Sequence, residues 1–442
     1  MNHEPIRSSM SSYTMAITSR RCAVRLAKAA ATGAIAWSAL AAAMPALAAQ
    51  GQILHVFGTR GDGDLAASGV VVDDAGKLYG VTTAGGKSQA GTVFQLTPPA
   101  SGQSQWTETV LHNFGSNSID GQSPRSVLRV LKTGRLQGST SEGGSFGAGT
   151  LYELRPPKFG KGAWTQEILA SFGAGSDMQG TFPETTPVPL TADRTVLYGA
   201  AQGGGAANMG LVYSLQGDVQ TVLHEFNGND GALPGNQLVA DKAGNLYGMS
   251  FVGDRFGLGN IYRLSPPPSP GQAWGFQVLH TFTGGSDGRA PGNALFIDNR
   301  GVIFGTNASG GDQLLGNIFR LVPPALPSGQ WAFEVLHSFG DAANGQSPHS
   351  GLVPDGNGGF FGAAGAGGTM NCGLVYRFLP PASEGAAWTL SPLFSFTGGN
   401  GGGFPYGELA LKDGVLYGTT FGSTSSDGLP CNAASVVFKL TL

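Results

Sequence analysis

The 442-residue chain is rich in glycine, with 73 Gly, and poor in charge, with 12% Asp, Glu, Lys and Arg. Hydrophobic residues still make up 41% of it, so the composition excludes a disordered Gly-rich chain and favours many short strands joined by Gly-rich turns. The formal net charge of −3 is accompanied by no long basic run, which argues against nucleic acid as a partner.

The first predicted element is a targeting segment. Arg20 and Arg21 precede an apolar run that ends in a small-x-small motif at Ala48. This pattern predicts a signal peptide over residues 1–48, cleaved after Ala48, followed by one domain over residues 49–442, with an uncleaved membrane anchor as the alternative. We therefore expect export across the inner membrane, either to the periplasm or out of the cell. No later segment approaches the roughly 18 apolar residues of a membrane span, so none is expected in the mature chain.

The rest of the chain consists of seven copies of one unit. A phrase such as VLHTF recurs with starts near residues 53, 110, 168, 222, 278, 335 and 392. Each copy is followed in the same order by an Asp/Asn-Gly-x-x-Pro turn, an apolar run, a Gly-x-Leu-Tyr-Gly phrase, a Gly-rich loop and a run such as GTVFQL. Each unit thus contains four strand-sized segments. We call the apolar run after the turn strand A, the Leu-Tyr-Gly phrase strand B, the run such as GTVFQL strand C and the phrase such as VLHTF strand D. Four antiparallel strands repeated seven times predict an all-β, seven-bladed β-propeller, with a parallel β-helix or a linear array as alternatives.

The two ends of the repeat array complement each other. The array begins with a lone D segment at residues 53–57 and finishes with a lone A-B-C set. We therefore expect residues 53–57 to pair beside residues 435–440 and complete the seventh blade with the N-terminal strand. Such pairing would remove the two open sheet edges of an unclosed array, which otherwise promote aggregation.

The ordered phrases also resemble a known family. GNLYG or LYGTT, a Gly-Gly loop, GTVF and LTPP, in this order, resemble the GloVer-type tandem repeat of exported bacterial proteins over about residues 53–442. The resemblance implies an extracytoplasmic repeat protein with no assigned biochemical function. It carries no catalytic residues that could be transferred to this chain.

Residues that repeat at equivalent positions are interpreted as framework. One position of strand D carries a histidine in five units, namely His55, His112, His224, His280 and His337. Because strand D is the outermost strand of its blade, these rings should lie too far apart to share a metal ion, and we expect each to pack and hydrogen-bond within its own blade. No metal site is expected.

Two further repeated residue types are interpreted in the same way. The Asp residues of the D-to-A turn are Asp62, Asp120, Asp230 and Asp287. Each directly precedes a Gly, which is typical of a structural turn. Calcium binding by these turns is the alternative. A Trp opens strand D in five units and should cover a hydrophobic edge, with sugar stacking as the alternative. We expect no cofactor.

Function is expected where the repeats differ from one another. The residue after the turn Pro, or after Ala66 in the first unit, is in chain order Ala67, Arg125, Glu184, Gly235, Gly292, His349 and Tyr406. By analogy with other propellers, the D-to-A turns and B-to-C loops should surround the mouth of the central channel. The Arg, Glu, His and Tyr of this series should then form a ligand-binding arc on one side of the mouth. Arg289 and the loop 422–434 should add to the same face.

The two cysteines beyond the predicted signal peptide lie in corresponding loops. Cys372 and Cys431 are both in B-to-C loops, in the sixth and seventh blades. Neighbouring blades present these loops on the same face, so a disulfide could join them, the alternative being two separate thiols.

The predicted function is binding. The sequence contains no nucleophile elbow, no HExxH motif and no acidic cluster outside the repeated turns. We therefore expect an exported, non-enzymatic, monomeric propeller that binds or scaffolds a protein partner or a cell-surface glycan. The alternative is a propeller hydrolase or lyase acting on a carbohydrate or a lactone at the channel mouth.

Overall fold

The computed structural model describes residues 49–442, apart from positions 59–60, 174–178, 191–194, 236, 270, 293, 327–328, 384 and 424–430. The predicted signal peptide, residues 1–48, lies outside the described residues. Within the described residues, short apolar runs between Gly-rich turns become 31 strands, and one 3-10 helix spans Lys158–Gly160. The strands form seven antiparallel sheets.

The first three blades follow the repeat units in chain order. Blade 1 comprises β2 (Val70–Val72), β3 (Leu78–Thr82), β4 (Thr92–Thr97) and β5 (Thr107–Asn113). Blade 2 comprises β6 (Gly121–Pro124), β7 (Arg129–Val130), β8 (Leu136–Gly143), β9 (Thr150–Arg155) and β10 (Thr165–Ser171). Blade 3 comprises β11 (Val188–Pro189), β12 (Val196–Ala201), β13 (Leu211–Gln216) and β14 (Val219–Glu225).

The next four blades complete the ring. Blade 4 comprises β15 (Ala232–Pro234), β16 (Val239–Ala240), β17 (Leu246–Val252), β18 (Asn260–Ser265) and β19 (Gly275–Thr281). Blade 5 comprises β20 (Arg289–Pro291), β21 (Phe296–Ile297), β22 (Ile303–Ser309), β23 (Asn317–Val322) and β24 (Ala332–Ser338). Blade 6 comprises β25 (Val353–Pro354), β26 (Phe360–Ala364), β27 (Leu374–Leu379) and β28 (Thr389–Ser395). Blade 7 comprises β29 (Ala410–Lys412), β30 (Val415–Thr420), β31 (Val436–Thr441) and β1 (Gln50–Val56).

The N-terminal strand closes the propeller. β1 pairs antiparallel with β31, with Ile53 opposite Phe438, and is the outermost strand of blade 7. In blades 2, 4 and 5 the innermost strand A is split into two short pieces that both pair with strand B. The predicted fold class is therefore confirmed: an all-β propeller of seven four-stranded blades, closed by its first strand.

Aromatic side chains of strand C fill the space around each blade. Tyr152, Tyr213, Tyr262 and Tyr376 are fully buried. The Gly of the Leu-Tyr-Gly phrase lies against these rings, since a Cβ at Gly248 would lie 2.4 Å from Tyr262 Oη. The repeated glycine is thus required by close packing rather than by a special backbone conformation.

The D-to-A turns of blades 2, 3, 4, 6 and 7 dock on the B-to-C loop of the preceding blade. Phe404 N–H donates to the carbonyl of Cys372 over 2.9 Å, and Ser347 N–H donates to Leu315 over 2.8 Å. The donor in these bonds is the residue before the turn Pro, and it has a left-handed φ of 59° at Phe404 and 52° at Ser347. Such a φ is costly for a residue with a Cβ, so the contact with the neighbouring blade must hold it.

The repeated histidines join a strand to the turn that follows it. His280 Nε2 lies 3.2 Å from Asp287 Oδ2, and equivalent pairs link His55 to Asp62, His112 to Asp120 and His224 to Asp230. The His280 ring also stacks on Phe333, with centroids 3.9 Å apart. Phe333 belongs to blade 5 whereas His280 belongs to blade 4, so the expectation that each ring packs only within its own blade was wrong. Burial lowers the pKa of His280, against the opposing effect of Asp287.

The repeated tryptophans also bridge blades. Trp331 meets Tyr247 of the preceding blade edge-to-face with centroids 6.1 Å apart, and Trp164 meets Tyr79 at 6.4 Å. These contacts lie at the seam between two blades, where both indole side chains are partly buried. They support the framework interpretation over sugar stacking.

The structure joins Cys372 and Cys431 in a disulfide, with the two Cα atoms 5.2 Å apart. The bridge links the B-to-C loops of blades 6 and 7, and blade 7 is the one that contains both β1 and β31. Since the closed loop spans 59 residues in sequence, the cross-link removes considerable entropy from the unfolded chain.

We expect replacement of both cysteines by serine to lower the free energy of unfolding by about 4 kcal/mol, because the unfolded chain regains that loop entropy. Guanidinium denaturation of the mature protein, with and without a reductant, measures the change. The double variant serves as the control, since reductant should not affect it. Identical denaturation midpoints for the wild type under oxidising and reducing conditions would contradict the prediction.

Candidate functional site

A cavity of about 300 Å³ lies where the D-to-A turns converge around the channel. Its lining comes from blades 1, 2, 3, 4, 6 and 7. The charged side chains in the lining are Arg125, Glu184 and Glu408, and the ring-bearing ones are His349, Tyr406 and Phe421. The volume is at the lower end of the range for ligand pockets, about 300–1,000 Å³, so it suits a small molecule or one terminal group of a larger ligand.

A three-residue turn aims the variable side chains at this cavity. Tyr406 N–H donates to the carbonyl of Phe404 over 2.8 Å, and Glu184 N–H donates to Phe182 over 2.9 Å, so each bond spans the turn Pro. The fixed φ of Pro suits the centre of such a turn. In blade 5 a Gly occupies the variable position, and Gly292 N–H donates instead to Thr306 of its own strand B over 2.7 Å. Glu184 and Tyr406 thus share one backbone geometry, which Ala67 also has through its bond to the Leu65 carbonyl.

The cavity brings together four of the five residues predicted from the sequence. Arg125, Glu184, His349 and Tyr406 all line it, whereas Arg289 is not among its lining residues. Arg289 lies on β20 and pairs with Ser309 near the rim of blade 5. Of the predicted loop 422–434, residues 424–430 lie outside the described residues.

Arg125 and Glu184 form a partly enclosed ion pair. Arg125 Nε lies 3.7 Å from Glu184 Oε1, and the side chains are 53% and 13% exposed. Gln202 Nε2 donates to the other carboxylate oxygen of Glu184 over 2.9 Å. Burial raises the pKa of Glu184, although Arg125 and Gln202 oppose this effect.

Glu408 is a further cavity residue that the sequence reasoning missed. Burial raises the pKa of its carboxyl group to about 7. The carboxylate forms no hydrogen bond and no ion pair with any residue that the structure describes. Glu184 of blade 3 and Glu408 of blade 7 are the two carboxyl groups in the cavity lining.

A second variable position could have revealed Glu408. It lies three residues after the turn Pro, or after Ala66 in the first unit, and is in chain order Gly69, Val127, Thr186, Gln237, Ala294, Gly351 and Glu408. Six uncharged residues and a single glutamate mark the seventh blade as different. A comparison of the seven repeats at this position therefore indicates Glu408 as a variable residue.

Rings form one wall of the cavity. The His349 and Tyr406 centroids are 4.4 Å apart, and Phe421 lies 5.9 Å from Tyr406 on its other side. Tyr406 also lies over Gly365, where a Cβ would be 2.3 Å from Tyr406 Cε1. Burial lowers the pKa of His349 to about 4, so its imidazole is neutral at pH 7.

Metal ligands do not cluster in the part of the chain that the structure describes. No group of three or more His, Cys, Asp or Glu residues there could hold a metal ion. Within the same residues, no helix has the length and apolar character needed to cross a membrane.

We expect His349 to titrate at about pH 4 and to remain neutral at pH 7, because charging the imidazole in the enclosed cavity is unfavourable. Since the folded-state pKa lies below the ordinary histidine value of 6.5, this histidine favours the folded state above pH 6.5 and loses that contribution as the pH falls towards 4. Long-range proton–nitrogen NMR of the imidazoles measures the titration, and His349→Gln assigns its signal. A midpoint near 6.5 for His349 would contradict this environment.

Comparison with known proteins gives the fold and the family. No curated protein sequence matches the chain. Among solved structures, the extracellular domain of a proposed one component system from B. thetaiotaomicron is similar, with a TM-score of 0.50 and 12% identity over 89% of this chain. The chain covers 41% of the length of that protein. A gluconolactonase from Xanthomonas campestris matches with a TM-score of 0.38 and 14% identity, over 70% of this chain and 82% of its own.

At 12% identity, the match to the B. thetaiotaomicron domain shows a shared propeller fold and nothing about activity. The sequence match is more specific, because a family model described as the Gloeobacter/Verrucomicrobia repeat matches residues 44–193 and 185–429. These two matches include all seven blades in part or in full and agree with the resemblance seen in the repeated phrases. The chain belongs to the Gloeobacter/Verrucomicrobia repeat family.

Proposed function

We propose that the protein is an exported, non-enzymatic binding propeller that holds a terminal group of a cell-surface glycan in its central cavity. One observation carries the proposal: side chains that differ between repeats converge on the cavity, whereas side chains that repeat build the blades. A framework alone gives no reason for Arg125, Glu184, His349, Tyr406 and Glu408 to meet there.

The chemistry of the lining suits a polar ligand with some apolar surface. Arg125, Glu184 and Gln237 offer charged or amide hydrogen-bonding groups, and Tyr406 and Phe421 offer ring surfaces. Sugars present both kinds of surface, with hydroxyl groups around a ring whose C–H faces pack on aromatic side chains. A whole protein partner would contact the surrounding loops as well, and would insert one side chain into the cavity.

A second candidate function uses the same two carboxyl groups. Glu184 and Glu408 both have raised pKa values and line one cavity, as a general acid and a general base would. The protein would then be a hydrolase or lyase acting on a carbohydrate or a lactone. Release of product from oligosaccharides or lactones that is lost in Glu408→Gln would favour this candidate over binding alone.

We expect Arg125→Ala and His349→Ala each to weaken glycan binding by about tenfold or more, because a hydrogen bond to a charged group or a buried ring contact is lost. A glycan array with the purified mature protein, with and without calcium, identifies the ligand, and titration calorimetry measures the affinities.

Arg300→Ala is the matched control for this experiment. Arg300 lies in the A-to-B hairpin of blade 5, at the opposite end of the blade from the B-to-C loops, and its side chain is 79% exposed. Its removal should leave glycan affinity unchanged. If the two cavity variants bind as tightly as the wild type and the control, the ligand does not occupy the cavity.

A further inference from the structure

Charge in the central cavity is not balanced. Arg125 and Glu184 form an ion pair, so their charges compensate each other. His349 is neutral at pH 7, and burial raises the pKa of Tyr406, so its phenol is neutral as well. The ionised carboxylate of Glu408 therefore leaves one uncompensated negative charge in the cavity.

Burial makes this charge unfavourable without a partner. A carboxylate removed from bulk water and left without hydrogen bonds or a cation loses much of its solvation free energy. Beside it, Ser68 Oγ is buried and also has no hydrogen-bond partner among the described residues. Ser68 and Glu408 belong to neighbouring blades, and the Glu408 N–H donates to the Ser68 carbonyl over 3.3 Å. The unpaired Ser68 hydroxyl and the partly exposed Glu408 carboxylate thus line one cavity.

Aromatic rings adjoin the same space. Tyr406 lies between His349 and Phe421 along the wall described above, and all three line the cavity with Glu408. Ring faces attract cations through their quadrupole, most strongly where water is excluded, and quaternary ammonium groups are recognised in this way. A carboxylate beside several rings therefore complements an organic cation better than a neutral group.

A metal ion fits the lining less well. It would need several oxygen or nitrogen ligands, and the described residues offer no group of three or more His, Cys, Asp or Glu for one. An organic ammonium needs one carboxylate and a surface for its alkyl groups, which the lining supplies.

We propose that the ligand group taken by the central cavity is an organic ammonium, with Glu408 as its counter-charge and with Tyr406 and Phe421 as the surface on which its alkyl groups pack. The amine of an amino sugar and a trimethylammonium group both have this chemistry. The inference rests on the proposed function in that the cavity is the binding site, and it specifies the class of ligand.

Two pairs of probes separate charge from shape. Choline and 3,3-dimethyl-1-butanol have nearly the same shape, but only choline carries a positive nitrogen. Glucosamine and glucose differ by one amine in the same way and test whether the cation is presented on a sugar. Titration calorimetry of the mature protein at pH 8 should show choline binding at least tenfold more tightly than its neutral analogue.

The pH dependence of choline binding reports on Glu408. Choline keeps its charge at every pH, so a change in affinity reflects the protein. The other groups facing the cavity are Arg125, which stays charged, its partner Glu184, and neutral His349 and Tyr406; blade 1 adds only uncharged side chains such as Ser68. Because Glu408 has a pKa of about 7, affinity should fall about tenfold from pH 8 to pH 6.

Glu408→Gln should remove both the preference for choline over its analogue and most of this pH dependence. Glu334→Gln is the matched control, since Glu334 is exposed on β24 of blade 5 and does not line the cavity. Circular dichroism checks that both variants fold. A Glu408→Gln protein that still prefers choline would overturn the role of the carboxylate.

The outcomes distinguish this inference from the function on which it rests. If neutral glycans bind and added charge gives no preference, the ammonium inference is wrong and the glycan-binding function stands. If choline and glucosamine bind through Glu408 and no natural glycan does, the cation site stands and the glycan function is wrong. If neither the probes nor any glycan binds, both are wrong.

Discussion

Docking of D-to-A turns onto the preceding blade is the constraint on which the rest of this structure depends. The residue before the turn Pro is held at a left-handed φ, and its N–H bonds a carbonyl of the neighbouring B-to-C loop, as Phe404 does with Cys372. In the same contact the ring of Pro405 lies against Gly373, where a Cβ would be 2.6 Å from Pro405 Cδ. Neither blade can take up this geometry alone, so the ring of blades fixes the turns.

Fixing the turns separates framework from function in the sequence. The docking contact restricts the residues that make it, chiefly the turn Pro and the Gly of the preceding B-to-C loop, and these two recur in most blades. The residue after the Pro is free of that requirement, because its backbone is already positioned by the turn. It can therefore be Gly292 in one blade and Tyr406 in another without changing the fold. Seven similar blades can therefore surround one cavity with side chains that differ from blade to blade.

The sequence predicted the fold almost completely because repetition makes the pattern redundant. Seven copies of four apolar segments gave the blades, and the lone strand at residues 53–57 gave the closure. Single residues were harder. Arg125 and His349 could be placed at the channel because they occupy a repeated position, whereas Arg289 was assigned to the same face without a defined register and lies outside the lining. Glu408 was missed because only the position directly after the turn Pro was compared between repeats, although the position two residues further on also differs in blade 7.

Closure of the ring and the unusual carboxylate meet at the same seam. Glu408 pairs through its backbone with Gly69 of blade 1, in an isolated parallel bridge between the first and last blades. Gly69 has a φ of 97°, and a Cβ there would lie 2.4 Å from the carbonyl oxygen of Glu408, so only glycine allows the approach. The seam therefore brings the Glu408 backbone against Gly69 and its side chain into the cavity beside Ser68. A buried charge at this place costs stability that an equivalent Gly or Ala would not, as in blades 5 and 6, where Ala294 and Gly351 occupy the position. This destabilising charge lies in blade 7, which is also the blade that β1 closes and that the disulfide joins to blade 6. Both links stabilise the blade that carries the charge.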